Sequence, residues 1–280
     1  MNTPEVFLFC DLDRTLIPNG KAPASPSAEE RFRRYVERPE VFLGYVSGRD
    51  KGLLQDAIQE YDLPVPDVAV GDVGTTIYHP HQNWIHDQPW WDLIALDWNG
   101  HSREDLEARL CDLEGLRLQP EKKQGAFKLS FFTAADDRAA EARVRQVLDA
   151  IEGLRYTLIA SVDELNNDGL LDILPAHATK YHAVRFVLEK LKAEDDAVVF
   201  AGDSGNDLAA LTSGLQAVLV ANAAENVREQ ARRLLAEHGT DPARLYFAKG
   251  DFMDMNGNYK AGVLEGLAHF LPHTRAWMGA

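Results

Sequence analysis

The sequence predicts an α/β fold: a mostly parallel sheet covered on both faces by helices, with a smaller α+β unit inserted into it. Three observations carry this. Short apolar runs alternate with amphipathic helix patterns, the arrangement that joins parallel strands through crossovers. Four of the apolar runs end in small polar clusters, "CDLDRT", "VSGR", "GDVGT" and "AGDSGND". Between Trp84 and Gly169 the texture changes, and four of the five tryptophans fall between Trp84 and Trp98. The expected organisation places residues 1–84 and 171–280 in the large unit and residues 85–170 in the inserted one.

Taken in order, "VFLFC" (Val6 to Cys10) is a continuous apolar run that stops at a polar switch, the pattern of a buried strand. Ser27 is the expected cap of a helix whose Phe32, Tyr35 and Val36 share one face. "VFLGYVSGR" (Val41 to Arg49) gives a second strand. Leu53, Leu54, Ala57, Ile58 and Tyr61 repeat at helical spacing. "DVAVGDVGTTIYHP" gives a third strand and a glycine-punctuated hairpin. Inside the insertion, "REDLEARLCDLEG" and "DDRAAEARVRQVLDAIEG" read as helices, followed by the strands "AFKLSFFT" and "LRYTLIASV". Asp136 and Asp137 favour the N-terminus of the second of these helices. The large unit resumes at "LLDILP", with a helix from Thr179 to Leu191, the strand "AVVFAGD" and a further helix and strand ending near Ala221.

The chain has 280 residues, 45% hydrophobic and 26% charged, the balance of a globular protein. Two cysteines, Cys10 and Cys111, make no disulfide framework and suit a reducing compartment. With no run of membrane-spanning length, the expectation is a cytoplasmic protein without membrane partners. A formal net charge of −15 argues against nucleic acid, whose phosphates call for basic surface. A small anionic substrate is compatible, because a bound cation can invert the field of one cleft.

In an open parallel sheet, ligands bind beyond the carboxyl ends of the strands. Asp11 and Asp13 stand two apart in an extended chain, so their like charges share a face and call for a cation between them. Asp11 at a strand tip can attack phosphorus and form an acyl-phosphate. Asp13 can protonate the leaving oxygen and then deprotonate a water. Mg²⁺ answers the repulsion, with Asp11, Asp13, Asp203 and Asp207 as its candidate ligands. Ser47 and Gly48 offer a hydroxyl and an unhindered amide to phosphate oxygens, Lys180 a point charge at a helix N-terminus, and Asn206 an amide for a phosphoryl oxygen or a neighbouring ligand. His79, His81 and His86 do not have zinc spacing.

At these residues the sequence resembles the haloacid dehalogenase superfamily of aspartate-nucleophile phosphatases: "DLDRT", "VSGR", Lys180 and "GDSGND" match its four motifs in order. The resemblance implies a Rossmann-like core, Mg²⁺ and an aspartyl-phosphate, with the insertion as a cap of the Cof-like branch. "LQPEKKQGAFKLSFFT", "GLLDILP…KYHAV" and "YKAGVLEGLAHF" further resemble the sucrose-phosphate phosphatase family. That likeness implies Asp11 as nucleophile, Asp13 as acid/base, and Asp203 with Asp207 at the metal. It implies Ser47, Gly48 and Lys180 on phosphate, and Gln124 and Lys128 facing sugar hydroxyls. The implied substrate is sucrose 6-phosphate; mannosylfructose phosphate, a glycosyl-glycerate phosphate and mutase chemistry are the alternatives. The implied partners are that small molecule and a sucrose-phosphate synthase, with the protein a monomer or weak dimer. Two departures stand out. Arg14 occupies a position usually held by glycine, and Thr179-Lys180-Tyr181 replaces glycine-lysine-glycine.

Overall fold

The structure, a computed structural model, describes residues 4–135, 137–163 and 168–279. In chain order its strands are β1 (Val6–Cys10), β2 (Val41–Val46), β3 (Val68–Gly71), β4 (Thr76–His79), β5 (Ile85–His86), β6 (Arg117–Leu118), β7 (Leu129–Ala134), β8 (Tyr156–Asp163), β9 (Asp168–Pro175), β10 (Val198–Gly202), β11 (Gln216–Leu219) and β12 (Leu245–Phe247). The helices are α1 (Pro26–Val36), α2 (Lys51–Glu60), α3 (Gln88–Ala95), α4 (Arg103–Leu110), α5 (Arg138–Asp149), α6 (Lys180–Leu191), α7 (Leu208–Leu211), α8 (Glu225–His238) and α9 (Lys260–Phe270). Among the described residues no helix is long and apolar enough to cross a membrane.

Eight strands form one sheet in the order β12-β11-β10-β1-β2-β3-β4-β5. The pairs from β12 to β3 are parallel, while β4 and β5 fold back antiparallel. Alternation in β1 divides the core. Val6, Leu8 and Cys10 join Phe32 and Tyr35 of α1 and Leu264 and Leu267 of α9 on one face. Phe7 and Phe9 join Val184 of α6, Leu208 of α7 and Val227 of α8 on the other. Because β10, β1, β2 and β3 run the same way, their carboxyl ends emerge along one edge, carrying Asp203, Asp11, Ser47 and Asp72.

A second sheet, in the order β6-β7-β9-β8, is antiparallel and packs one face against α4 and α5 through Leu106, Leu110, Val144 and Leu148. Strand β9 pairs with β7 as far as Ile173 and with β8 along its whole length to Pro175, so "LLDILP" lies in this sheet rather than in the large one. Helix α1 begins two residues earlier than expected, at Pro26 behind Ser25, because proline presets the helical φ and needs no amide partner there. Asp137 caps α5 by accepting from the Ala140 amide; Asp136 lies outside the described residues.

Candidate active site

Strand β1 delivers Asp11 to the edge, where its amide donates to the Ala201 carbonyl of neighbouring β10. From the opposite side, α6 begins at Lys180, with the Thr179 side chain accepting from the His182 amide as N-cap. Gly74 permits this approach. Its φ is +113°, and a Cβ there would stand 2.5 Å from the Lys180 amide nitrogen and 2.3 Å from the Thr179 carbonyl carbon. The preceding residues, Asp72 and Val73, also hold positive φ, 51° and 64°. For a β-branched residue that conformation is costly and persists only because the surrounding contacts impose it.

Lys180 is buried, and its Nζ donates to Asp11 Oδ1 at 2.6 Å, Asp207 Oδ1 at 2.8 Å and Asn206 Oδ1 at 3.1 Å. Asp207 Oδ2 accepts from the Asp203 and Ser204 amides and from the Ser204 hydroxyl. Asp11, Asp203 and Asp207 are all buried, and each offers an oxygen within 4.8 Å of the others. Burial lifts the Asp11 carboxyl well above the usual carboxylate range; Lys180 opposes this, and Asp207 and Asp203 add to it. Burial and Asp207 push Asp203 up to about 7, against Arg14 and Lys180. Burial alone would lower Lys180, but Asp11 and Asp207 hold it charged, with a net rise.

Three buried carboxylates around one ammonium suit a hard divalent cation, which prefers oxygen ligands and would relieve their repulsion. One oxygen fits that reading directly. Among the described residues nothing donates a hydrogen bond to buried Asp203 Oδ2; Arg14 Nε lies 3.2 Å away as an ion pair, outside hydrogen-bond geometry.

Asp13 stands apart from this trio. Its carboxylate takes Arg49 Nε at 2.8 Å and Nη2 at 2.7 Å, with Asn19 Nδ2 at 2.7 Å. Burial would raise its pKa, but the bidentate Arg49 pair outweighs it and keeps the group below its ordinary value. Arg49 was visible at the end of "VSGR" without a role. Its geometry supplies one, that of holding Asp13 ionised. Ser47 is buried, its hydroxyl accepting from the Arg49 amide at 3.2 Å, and Gly48 follows with Val73 Cγ2 3.9 Å from where its Cβ would be.

A cavity of about 630 Å³ opens above this edge. Arg14, Val73, Asp203 and Asn206 contribute its large-sheet side; Thr133, Arg138, Ile159, Ser161 and Asp172 belong to the small-sheet side. Gln124 and Lys128 are not among its described lining residues. Gln124 spends its amide on backbone, donating to the Gln119 and Ser130 carbonyls and accepting from the Ser130 amide. Lys128 is buried close enough to Asp72 to oppose the effect of burial, which still leaves that carboxyl pushed up to about 6. The residues facing the cavity from the small sheet are scattered over β7, α5, β8 and β9, so no single motif marked them. The three histidines do not converge either: His79 bonds Asp87 at 2.9 Å, and His86 stacks on Trp91.

A family model described as Sucrose-6F-phosphate phosphohydrolase matches residues 4–271. The chain belongs to this family. Sucrose-6F-phosphate phosphohydrolases are phosphoric monoester hydrolases of the haloacid dehalogenase class, and the relatives carry matching names. A "Putative HAD-like hydrolase" of Nitrosococcus oceani is 50% identical over 98% of this chain and 74% of its own length. "Probable sucrose-phosphatase 3a" of Arabidopsis thaliana is 26% identical over 95% of the chain, which spans 60% of that longer relative. "Mannosylfructose-phosphate phosphatase" of Agrobacterium fabrum is 26% identical over 95% of the chain and 97% of its own length. Among solved structures, the sucrose-phosphatase of Synechocystis sp. PCC6803, in complex with sucrose and phosphate, aligns with a TM-score of 0.74. Its identity is 25%, over 95% of this chain and 98% of that one.

Proposed function

We propose that this chain is a Mg²⁺-dependent phosphatase that hydrolyses sucrose 6-phosphate to sucrose and phosphate through an aspartyl-phosphate on Asp11. The observation that carries the reading is Asp11 itself, a carboxylate at a strand tip, 2.6 Å from a buried lysine and grouped with Asp203 and Asp207. Asp11 attacks phosphorus, a new P–O bond forms to its carboxylate, and the ester P–O bond to the sugar breaks. Asp13 gives its proton to the departing sugar oxygen, then takes one from the water that cleaves the aspartyl-phosphate. In the free protein Asp13 is held as a carboxylate by Arg49, so the arriving phosphate anion must raise its proton affinity before the first step. Asp11, Asp203 and Asp207 hold the Mg²⁺, which when bound supplies positive charge against the phosphoryl oxygens. Lys180 and the amide of Gly48 add donors at the same place, with Ser47 and Asn206 completing the phosphate cradle.

The unit built on the small sheet serves as a cap, and the sugar lies in the cavity beneath it. Thr133, Arg138, Ser161 and Asp172 are better placed to read sugar hydroxyls than Gln124 or Lys128. A second reading, mannosylfructose phosphate as substrate, is favoured by the match along 97% of the Agrobacterium relative. A synthase that makes the glycosyl phosphate would supply either substrate, in the cytoplasm.

Phosphate release with Mg²⁺ should be measured across sucrose 6-phosphate, mannosylfructose phosphate, mannosyl-glycerate phosphate and glucose 6-phosphate. We expect sucrose 6-phosphate to lead in kcat/KM, EDTA to abolish turnover, and Asp11→Asn to be inactive but folded. A lead for mannosylfructose phosphate selects the second reading. Turnover that survives Asp11→Asn refutes the aspartyl-phosphate.

A further inference from the structure

Arg14 follows the Asp11-Leu12-Asp13 segment, and the structure shows how an arginine is held there. Its φ is +61°, in the region glycine occupies freely. Its amide donates to the Ile17 carbonyl at 3.0 Å and to Asn19 Oδ1 at 2.9 Å, and its carbonyl accepts from Asn222 Nδ2 at 2.7 Å. The backbone is therefore fixed on both sides. The side chain reaches Asp203, with Nε 3.2 Å from Oδ2, and forms part of the wall of the 630 Å³ cavity. A guanidinium thus sits where the buried carboxylate trio meets the substrate space.

Formal charge gives this position a consequence. Asp11, Asp203 and Asp207 against Lys180 and Arg14 leave one negative charge; without Arg14 they would leave two. A divalent cation entering the trio meets repulsion from Arg14, whereas a phosphate dianion entering after it meets attraction. We propose that Arg14 is a positioning residue acting through Asp203: it weakens divalent-cation binding in the empty site and strengthens anion binding once the cation is in place. This rests on reading the trio as a Mg²⁺ site.

Calorimetric titration separates this from a structural role, because the two affinities should move in opposite directions. With Mg²⁺ alone, Arg14→Gln should bind the cation about fivefold or more tighter than wild type, fivefold being the size of one close charge–charge interaction screened as in bulk water. With Mg²⁺ saturating, the same variant should bind inorganic phosphate about fivefold more weakly. Arg14→Lys, which keeps the charge, should stay near wild type in both titrations. Affinities that fall together, or that do not move, overturn the inference. Asp203→Asn tells the two readings apart. If it leaves Mg²⁺ affinity unchanged, the trio is not the cation site and the Arg14 inference falls with it. If it weakens Mg²⁺ binding while Arg14→Gln changes nothing, only the role of Arg14 is lost.

Discussion

At Asp13, burial favours the neutral acid and a bidentate arginine favours the carboxylate, and the arginine prevails. The consequence can be read in a pH profile. Replacing Arg49 with alanine removes the opposing effect and leaves the burial, so the pKa of Asp13 rises. As the acid of the first step Asp13 would then keep its proton to higher pH, and the alkaline limb of kcat/KM should move up. A limb that stays in place would mean that another group sets it. Arg49 itself could be read from the sequence only as the end of a strand. Its meaning depended on where Asp13 pointed, which is fixed by Asn19 and the turn between them. Gln124 shows the converse: a polar residue in a suggestive motif, whose hydrogen bonds are consumed by the local backbone.

Helix α3 illustrates how one carboxylate can hold an element in place. Asp87 accepts from the Trp90 amide as N-cap, from His79 at 2.9 Å and from Lys190 of α6 at 2.7 Å. These contacts tie the start of α3 to both the hairpin strand β4 and the far end of α6. Burial would raise Asp87, but the bonds from Lys190, His79 and the Trp90 amide hold it below the ordinary value. A carboxyl lowered on folding stabilises in full above its unfolded value of about 3.9, and that stabilisation fades as pH falls through the folded value. Asp87→Ala should therefore cost about 2 kcal/mol or more in urea unfolding at pH 7, from the lost cap and the donors left unpaired. At pH 3 the gap between variant and wild type should narrow; an equal gap at both pH values would show that the charge contributes nothing. Element identities were largely legible beforehand, because apolar runs and helical spacing are local. The start of α1 was not, since Ser25 and Ser27 compete as caps on either side of Pro26, and the preset φ of the proline decides for Ser25.

For the whole molecule, the question is what joins the two sheets. The chain passes between them twice, and buried Asp97 links the passages. It accepts from the His177 amide at 2.7 Å and from His177 Nδ1 at 2.9 Å, Arg155 Nη2 stands 2.8 Å away as an ion pair, and its own carbonyl accepts from the Arg155 amide. Removing one partner of a buried, multiply bonded carboxylate is costly, so Asp97→Ala should lose about 3 kcal/mol of stability. If the small-sheet unit also holds the sugar, KM for the preferred sugar phosphate should rise more than kcat falls. A change in kcat alone would place the effect at the phosphate end instead. From sequence alone came the alternation of strands and helices, the polar strand tips, the inserted unit and the set of acidic residues with Lys180, because each is written in local pattern or short spacing. Only the tertiary structure decided which carboxylates meet, that Asp13 leaves the group to pair with Arg49, that Arg14 turns to Asp203, and which small-sheet residues line the cavity. Those outcomes depend on contacts between segments as far apart as Arg14 and Asp203, where burial and charge are set by the packing of the whole chain rather than by neighbours in sequence.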